Sequence, residues 1–411
     1  TVGADGVRIA SADAAGAFYA RQTLAQLVQD DGSYPVVSIE DAPAYPWRGF
    51  LIDDSRHFMG KETVKRALDR MAEYKFNVFH WHLVDDQGWR FPTKKYPRLR
   101  TVGATRPRPD YVGSEYVFDY GTGDYGPFGY TEEDIREIRA YAAARHITIV
   151  PEMEIPGHSR EVVVAYPEFY CENADATAYT NMNNIGLCLG KDETIKFFKD
   201  ALDEFCEIFP DSKVIHIGGD ECPRENWKKC PRCQKRIRDF GLKDEDALQA
   251  WCTKVMVDHL AAKGREAIGW NEIVNGGLVS NVYVMSWNDR KATIAALEQG
   301  NTVVMTPSDK TYFSKPQGFG ARERYPYWHK QALTLKTAYY FDPMTKLDEK
   351  FRRQVLGGEC CAWGEFIADE EMLEWKTFPR FLAISEAVWT GGKAKPGYEH
   401  FKPRAEEHRR R

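Results

Sequence analysis

Two carboxylates stand side by side in this chain, Asp220 and Glu221, closing the run His216–Ile217–Gly218–Gly219–Asp220–Glu221. Adjacent acids repel when both are ionised, and burial adds to that cost, so one of them is pushed toward its neutral form. A carboxylic acid that keeps its proton near neutral pH is a general acid. Successive residues at a strand end point in different directions. The pair can therefore address two atoms of one substrate, such as a leaving-group oxygen and a neighbouring amide. The two preceding glycines leave space for a ligand against the backbone.

The elements that would position this pair follow a pattern. Short apolar runs recur at Gly49–Asp53, Phe76–Val84, Ile147–Ile155, Val214–Gly218, Ala267–Ile273, Val282–Trp287, Thr302–Thr306 and Leu356–Trp363. Most are rich in Val, Ile and Phe and too short for helices. Between them lie helical stripes such as Val64, Ala67, Leu68 and Met71, or Leu248, Trp251, Cys252 and Val255, or Ile195, Phe198, Leu202 and Phe205. Their spacing buries one helix face against a sheet. Eight strands alternating with helices predict a parallel (β/α)₈ TIM barrel over 45–395. Residues 1–44 carry strand and helix patterns (Val7–Ile9, Ala14–Gln29, Val36–Ile39) too few to fold alone. They read as the C-terminal remnant of an α/β domain packed on the barrel. Residues 396–411 read as a solvated tail, and the chain as a mature or trimmed piece. Three poorly periodic insertions, Tyr96–Tyr130, Pro167–Gly190 and Pro307–Pro343, are expected to wall the catalytic face.

A barrel of this kind places its chemistry at the C-terminal strand ends. Polar and aromatic residues gather there: Arg48, Asp85, Asp86, Glu152, Glu154, His158, Asp220, Glu221, Trp270, Glu272, Trp287, Tyr312, Trp363 and Glu365. One such acid is an ordinary loop start; so many converging on one face is a site.

Composition narrows the partners. The net charge is −5, with no basic face to meet a nucleic acid; the terminal Arg409–Arg411 run follows Glu406 and Glu407. No apolar run is long enough to span a bilayer. Nine cysteines cannot all pair internally. Cys230–Pro231–Arg232–Cys233, with Cys222 nearby, has the form of a zinc knuckle, but no second ligand pair stands at zinc spacing. Cys171 and Cys188 flank an Asn-rich loop that a disulfide would close. His80–Trp81–His82 has the spacing of a metal pair, but packing and hydrogen bonding are its expected roles. No metal and no cofactor is expected.

At this level of detail the residues match a family. Arg48–Gly49–Phe50–Leu51–Ile52–Asp53–Asp54–Ser55–Arg56–His57, His80–Trp81–His82–Leu83–Val84–Asp85–Asp86–Gln87–Gly88–Trp89–Arg90, Pro151–Glu152–Met153–Glu154–Ile155–Pro156–Gly157–His158 and His216–Glu221 resemble, in order, motifs of glycoside hydrolase family 20. The resemblance reaches Trp363–Gly364–Glu365, and residues 2–30 resemble the end of the α/β domain that precedes the barrel in that family. It implies an exo-acting retaining β-N-acetylhexosaminidase. There the substrate's own 2-acetamido oxygen attacks the anomeric carbon, forming an oxazolinium ion, an exception to two-carboxylate retention. Glu221 would be the general acid and then the base, and Asp220 would hold the acetamide N–H and steady the oxazolinium charge. Tyr312 would orient the acetamide oxygen, and Trp270, Trp287 and Trp363 would enclose its methyl group. Arg48 and Glu365 would grip the sugar's O3 and O4. His158, backed by Asp85 or by Asp86, would tune Glu221. The glycan substrates of this family imply an exported, periplasmic or cell-surface location.

One run departs from the family. Many members have Tyr-Leu-Asp or Tyr-Phe-Asp after strand 7, with the Asp accepting from the sugar's O6. Here the run is Tyr312–Phe313–Ser314–Lys315. Exchanging a carboxylate for Ser beside a Lys turns the field at O6 from anion-repelling to anion-tolerant. Within the family a similar exchange accompanies acceptance of 6-sulfated GlcNAc, which suggests sulfated or mucin glycans as substrates. Competing readings are release of terminal GalNAc or lacto-N-biose, a non-catalytic glycan-binding relative, and a metallohydrolase. Linkage and oligomeric state are not legible.

Overall fold

The computed structural model describes residues 1–108, 110–112, 115–117, 123–172, 184–277, 279–318, 331–392 and 395–408. Parts of all three insertions, and Arg409–Arg411, lie outside them.

The eight runs form eight strands: β1 (Trp47–Asp53), β2 (Val78–His82), β3 (Thr148–Glu152), β4 (Val214–His216), β5 (Glu266–Trp270), β6 (Val282–Ser286), β7 (Val303–Met305) and β8 (Val355–Ala362). Each pairs in parallel with the next, and β8 returns to β1, closing the (β/α)₈ barrel. The strands are buried along nearly their whole length, as parallel strands covered by helices must be. The stripe on helix Gly60–Glu73 buries Val64, Ala67, Leu68 and Met71 as the spacing requires. Helix Asp192–Ile208 buries Ile195, Phe198, Leu202 and Phe205 likewise, whereas on helix Glu245–Ala262 Leu248 and Cys252 are buried and Trp251 and Val255 only half-buried.

The barrel interior is partly polar. Trp47, Leu51, Val78, Val150, Ile268 and Trp270 form one apolar cluster inside it. Register then brings His82 opposite Glu152 and Glu152 opposite His216. Glu152 accepts from Trp270 Nε1 at 2.8 Å, lies 2.8 Å from His216 Nδ1, and also contacts His82 and His80. Glu359 accepts from His80 Nδ1 at 2.7 Å and Trp47 Nε1 at 3.0 Å. His80 and His82 thus serve as internal cross-links. Burial opposes their charge, yet the carboxylates raise them to about 9 and about 10, so both stay cationic.

Three expectations need correction. The N-terminal segment folds as a short hairpin, Val2–Gly3 against Gly6–Val7, and a helix, Ala14–Gln26, capped by Asp13. Val36 is 82% exposed and Val37 meets Val2 in a single bridge, so no strand develops at 36–39. The supposed tail is a helix over Tyr398–His408. Its Phe401 and Ala405, one turn apart, are buried, and Phe401 stacks on Tyr339 at 4.5 Å. The loop disulfide is absent: Cys171 and Cys188 are free and lie beside Cys230 and Cys233.

Candidate active site

The turn after β4 carries Asp220 and Glu221. Gly218 (φ +61°) and Gly219 (φ +103°) sit in left-handed backbone that glycine tolerates. A Cβ on Gly218 would come within 2.1 Å of Glu154 Oε2, and one on Gly219 within 2.4 Å of Ile273 Cγ2. The glycines are therefore required by packing behind the turn, and the expectation that they make room for a ligand is replaced. Glu221 itself has φ +46° and His158 has φ +45°. Such conformations cost roughly 1–3 kcal/mol each in a non-glycine residue and persist only where neighbours hold them. Asn184 is that neighbour: its Oδ1 accepts from the His158 N–H at 3.2 Å and its Nδ2 donates to the Glu221 carbonyl at 2.7 Å.

His158 Nε2 faces both acids, 3.5 Å from Asp220 and 3.6 Å from Glu221. Its Nδ1 meets Asp85 at 3.0 Å and Asp86 at 3.1 Å. The alternative left open in the sequence thus resolves to both partners. Burial works against a charged His158, but Asp85 and Asp220 hold its pKa well above the ordinary value.

The two acids are unequal, in the opposite sense to the sequence expectation. Burial pushes Asp220 up to about 7, opposed by His158 and aided by Glu272 and Glu221. Glu221 is lowered, first by the His158 ring beside it. The reason is position: Asp220 is enclosed, whereas the Glu221 side chain is 54% exposed. Asp220 Oδ1 is buried and has no partner among the described residues, so it offers an open acceptor inside the pocket. Glu154, at the end of β3, is kept protonated by burial and by Asp220 beside it.

An aromatic wall faces the pair. Trp287 stacks on Tyr312 (6.0 Å, 12°), Tyr312 lies 5.8 Å from Trp363, and Trp363 lies 5.6 Å from Trp270. Trp270, Trp287 and Trp363 come from strand ends, and Tyr312 from the end of the helical turn Ser308–Thr311 after β7. Trp287 is steered by Glu272, which accepts from its Nε1 at 3.1 Å. Tyr312 is held over the barrel mouth by a bridge to Cys361 at the end of β8, and the Phe313 N–H donates to the Cys361 carbonyl at 2.8 Å. Ser314 is buried and Lys315 half-buried. Arg380 clamps this turn by donating to the carbonyls of Phe313 (2.8 Å) and Lys315 (2.9 Å).

Arg48 is not in the site. It lies near the start of β1, at the opposite end of the barrel, and donates to the carbonyls of Lys75 (2.7 Å) and Tyr45 (2.9 Å) and to Tyr19 Oη (3.0 Å). It lines a cleft of about 760 Å³ between the N-terminal segment and the barrel floor. The cation at the mouth is Arg56, three residues beyond β1. It meets Asp85 at 2.7 Å and Asp53 at 3.1 Å, donates to Gln87, and lies 5.4 Å over Trp363. Glu365 feels its charge and keeps a buried, unpartnered Oε2. Strand direction was the available signal, because Arg48 precedes the predicted strand and Arg56 follows it. Asn184 was missed too; its Asn-rich surroundings read as an ordinary loop.

These features coincide with known proteins. The catalytic-domain profile of glycosyl hydrolase family 20 matches residues 45–392, and its domain 2 profile matches 1–42. The chain belongs to this family. It is 40% identical over 399 residues to a β-hexosaminidase of Porphyromonas gingivalis, a match covering 94% of this chain and 49% of that one. Among solved structures, a β-N-acetylhexosaminidase superposes with a TM-score of 0.88 at 31% identity, covering 99% of this chain and 86% of that one. An exo-β-N-acetylglucosaminidase from Vibrio harveyi, solved with N-acetylglucosamine, superposes at 0.84 with 31% identity, covering 94% and 61%. The chain thus spans about half the length of the Porphyromonas relative.

Proposed function

We propose that the chain is an exo-acting retaining β-N-acetylhexosaminidase that cleaves terminal β-linked GlcNAc with help from the substrate's acetamide. The observation that carries this is the division of the pair: an enclosed Asp220 with a free buried acceptor beside an aromatic slot, and an open Glu221. Both lie against one histidine nitrogen, hence on one side of the pocket. A nucleophile and an acid in two-carboxylate retention flank the scissile bond. Asp220 suits the acetamide N–H, Tyr312 its oxygen, and Trp270, Trp287 and Trp363 its methyl group. Arg56 and Glu365 take the place at O3 and O4. Glycans of this kind lie outside the cytoplasm, so the reading carries an exported location with it. The test compares an aryl β-GlcNAc with the matching aryl β-glucoside and follows the first-formed anomer by NMR. The expected result is turnover of the GlcNAc compound alone, with the β-anomer appearing first. Comparable turnover of the glucoside, or first appearance of the α-anomer, overturns the mechanism.

The exchange of Arg56 for Arg48 makes its own prediction. Arg56→Ala removes the cation from buried Asp53 and Asp85, a class of change that costs about 3–5 kcal/mol, and should raise KM steeply. Arg48→Gln should lower the thermal midpoint while leaving kcat/KM within about 2-fold, since it reports packing at the floor. Steady-state kinetics alongside thermal melts separate the two; equal kinetic losses would contradict the assignment.

A narrower reading concerns O6. Ser314 and Lys315 stand where an acid would repel an anion, and burial lowers the Lys315 amine pKa, with Asp309 opposing. A 6-sulfate would be tolerated by Ser314 and attracted by the Lys315 cation, so we include 6-sulfo-GlcNAc among the substrates. Ser314→Asp should cut the ratio of kcat/KM for sulfated over plain aryl GlcNAc by about 10-fold. An unchanged ratio sinks the sulfate reading and leaves the hexosaminidase reading intact.

A further inference from the structure

Four cysteines from three separate stretches of the sequence come together away from the active-site acids. Cys171, Cys188, Cys230 and Cys233 are all buried, and their sulfurs lie within 4.8 Å of one another. Cys188 Sγ is 3.8 Å from Cys230 Sγ and 3.6 Å from Cys233 Sγ. A disulfide would bring two sulfurs to about 2.05 Å. A tetrahedral ion with zinc–sulfur bonds of about 2.3 Å sets its ligand sulfurs about 3.8 Å apart. The observed spacing matches the second geometry.

We propose that these four residues form a structural zinc site. Cys230-x-x-Cys233 is the knuckle half: Cys230 stands at the N-cap of helix Pro231–Asp239 and Cys233 lies in its first turn. The positive end of that helix favours thiolates. Cys171 and Cys188 supply the second half, which the sequence spacing concealed because they lie more than forty residues upstream. Sulfurs this close enclose one ion and leave no space for a cluster. Binding releases the thiol protons, so the free energy of metal capture becomes free energy of folding.

The site joins two segments that serve catalysis. One runs from Asn184 to Cys188: Asn184 braces His158 and Glu221, Leu187 N–H donates to the Pro156 carbonyl at 2.9 Å, and Trp227 Nε1 donates to the Leu187 carbonyl at 2.9 Å. The other runs from Glu221 to Cys233. Zinc would lock the first against the second, and so would hold the backbone of Glu221 in its left-handed conformation. Its role is to position; it touches no reacting atom.

Protein purified without a metal-affinity column tests this by elemental analysis. The expected content is about one zinc per chain. Denaturation in chelator with alkylation should then label every cysteine, and cobalt exchanged into the site should give the absorption of a tetrahedral thiolate complex. Cys230→Ser should lose the zinc and lower the thermal midpoint by about 10 °C or more, while Cys206→Ser, outside the cluster, keeps it. Four free thiols without metal, two disulfides in the unreduced mass, or iron in place of zinc would each overturn the proposal. The analysis of unmutated protein stands even if Cys230→Ser fails to fold.

Discussion

Glu221→Gln is expected to lower kcat/KM by about 100- to 10,000-fold on substrates with poorly departing aglycones, because the leaving oxygen then departs without a proton. The amide matches the acid in size and shape. The side chain is more than half exposed, so the thermal midpoint should hardly move. The loss should shrink with an activated aryl aglycone, whose departure needs little protonation. Kinetics across aryl leaving groups of graded acidity measure this directly. A uniform loss regardless of aglycone would mean that Glu221 acts on binding, and the general-acid assignment would fail.

The second large effect belongs to Asp220. Asp220→Asn should cost about 100- to 1,000-fold in kcat, the range for removing one group aimed at charge that develops in the transition state. Its pH profile is the sharper readout. As pH falls, the first proton enters the enclosed Asp220 near 7, and the next enters Glu221 below its ordinary value of 4.5. Catalysis needs the single proton on Glu221 and the charge on Asp220. That form carries the same number of protons as the dominant one, so it persists across the same window. For the unmutated protein, kcat/KM should therefore stay high from below 4.5 to near 7 and fall above it. In Asp220→Asn the pair holds no second proton, and the alkaline limb should move down to that of Glu221 alone, below its ordinary value of 4.5. An alkaline limb that stays near 7 in this variant would assign the titration to another group.

Much of the architecture was legible because it is written in short periods. Apolar runs such as Val282–Ser286 and stripes such as Val64–Met71 are set by the repeat of a strand or helix, and eight alternations leave few ways to bury them. The strand-end position of Asp220 and Glu221 follows from the same pattern. Three rings of the aromatic wall were legible one at a time, since Trp270, Trp287 and Trp363 each stand at the end of a strand, while Tyr312 follows a helical turn after β7. Arg48 shows how local reading goes astray: it shares a motif with Arg56, yet eight residues separate the floor of the barrel from its mouth.

The sequence by itself determined the barrel and the pair of acids, because both depend on neighbours a few residues away. The tertiary structure decided which acid binds a proton more tightly, because burial of Asp220 and exposure of Glu221 arise from how the mouth closes around them. It also decided that Asn184 braces two strained residues and that Cys171 and Cys188 meet Cys230 and Cys233. Those contacts join segments distant along the chain, and only closure of the barrel brings them within reach.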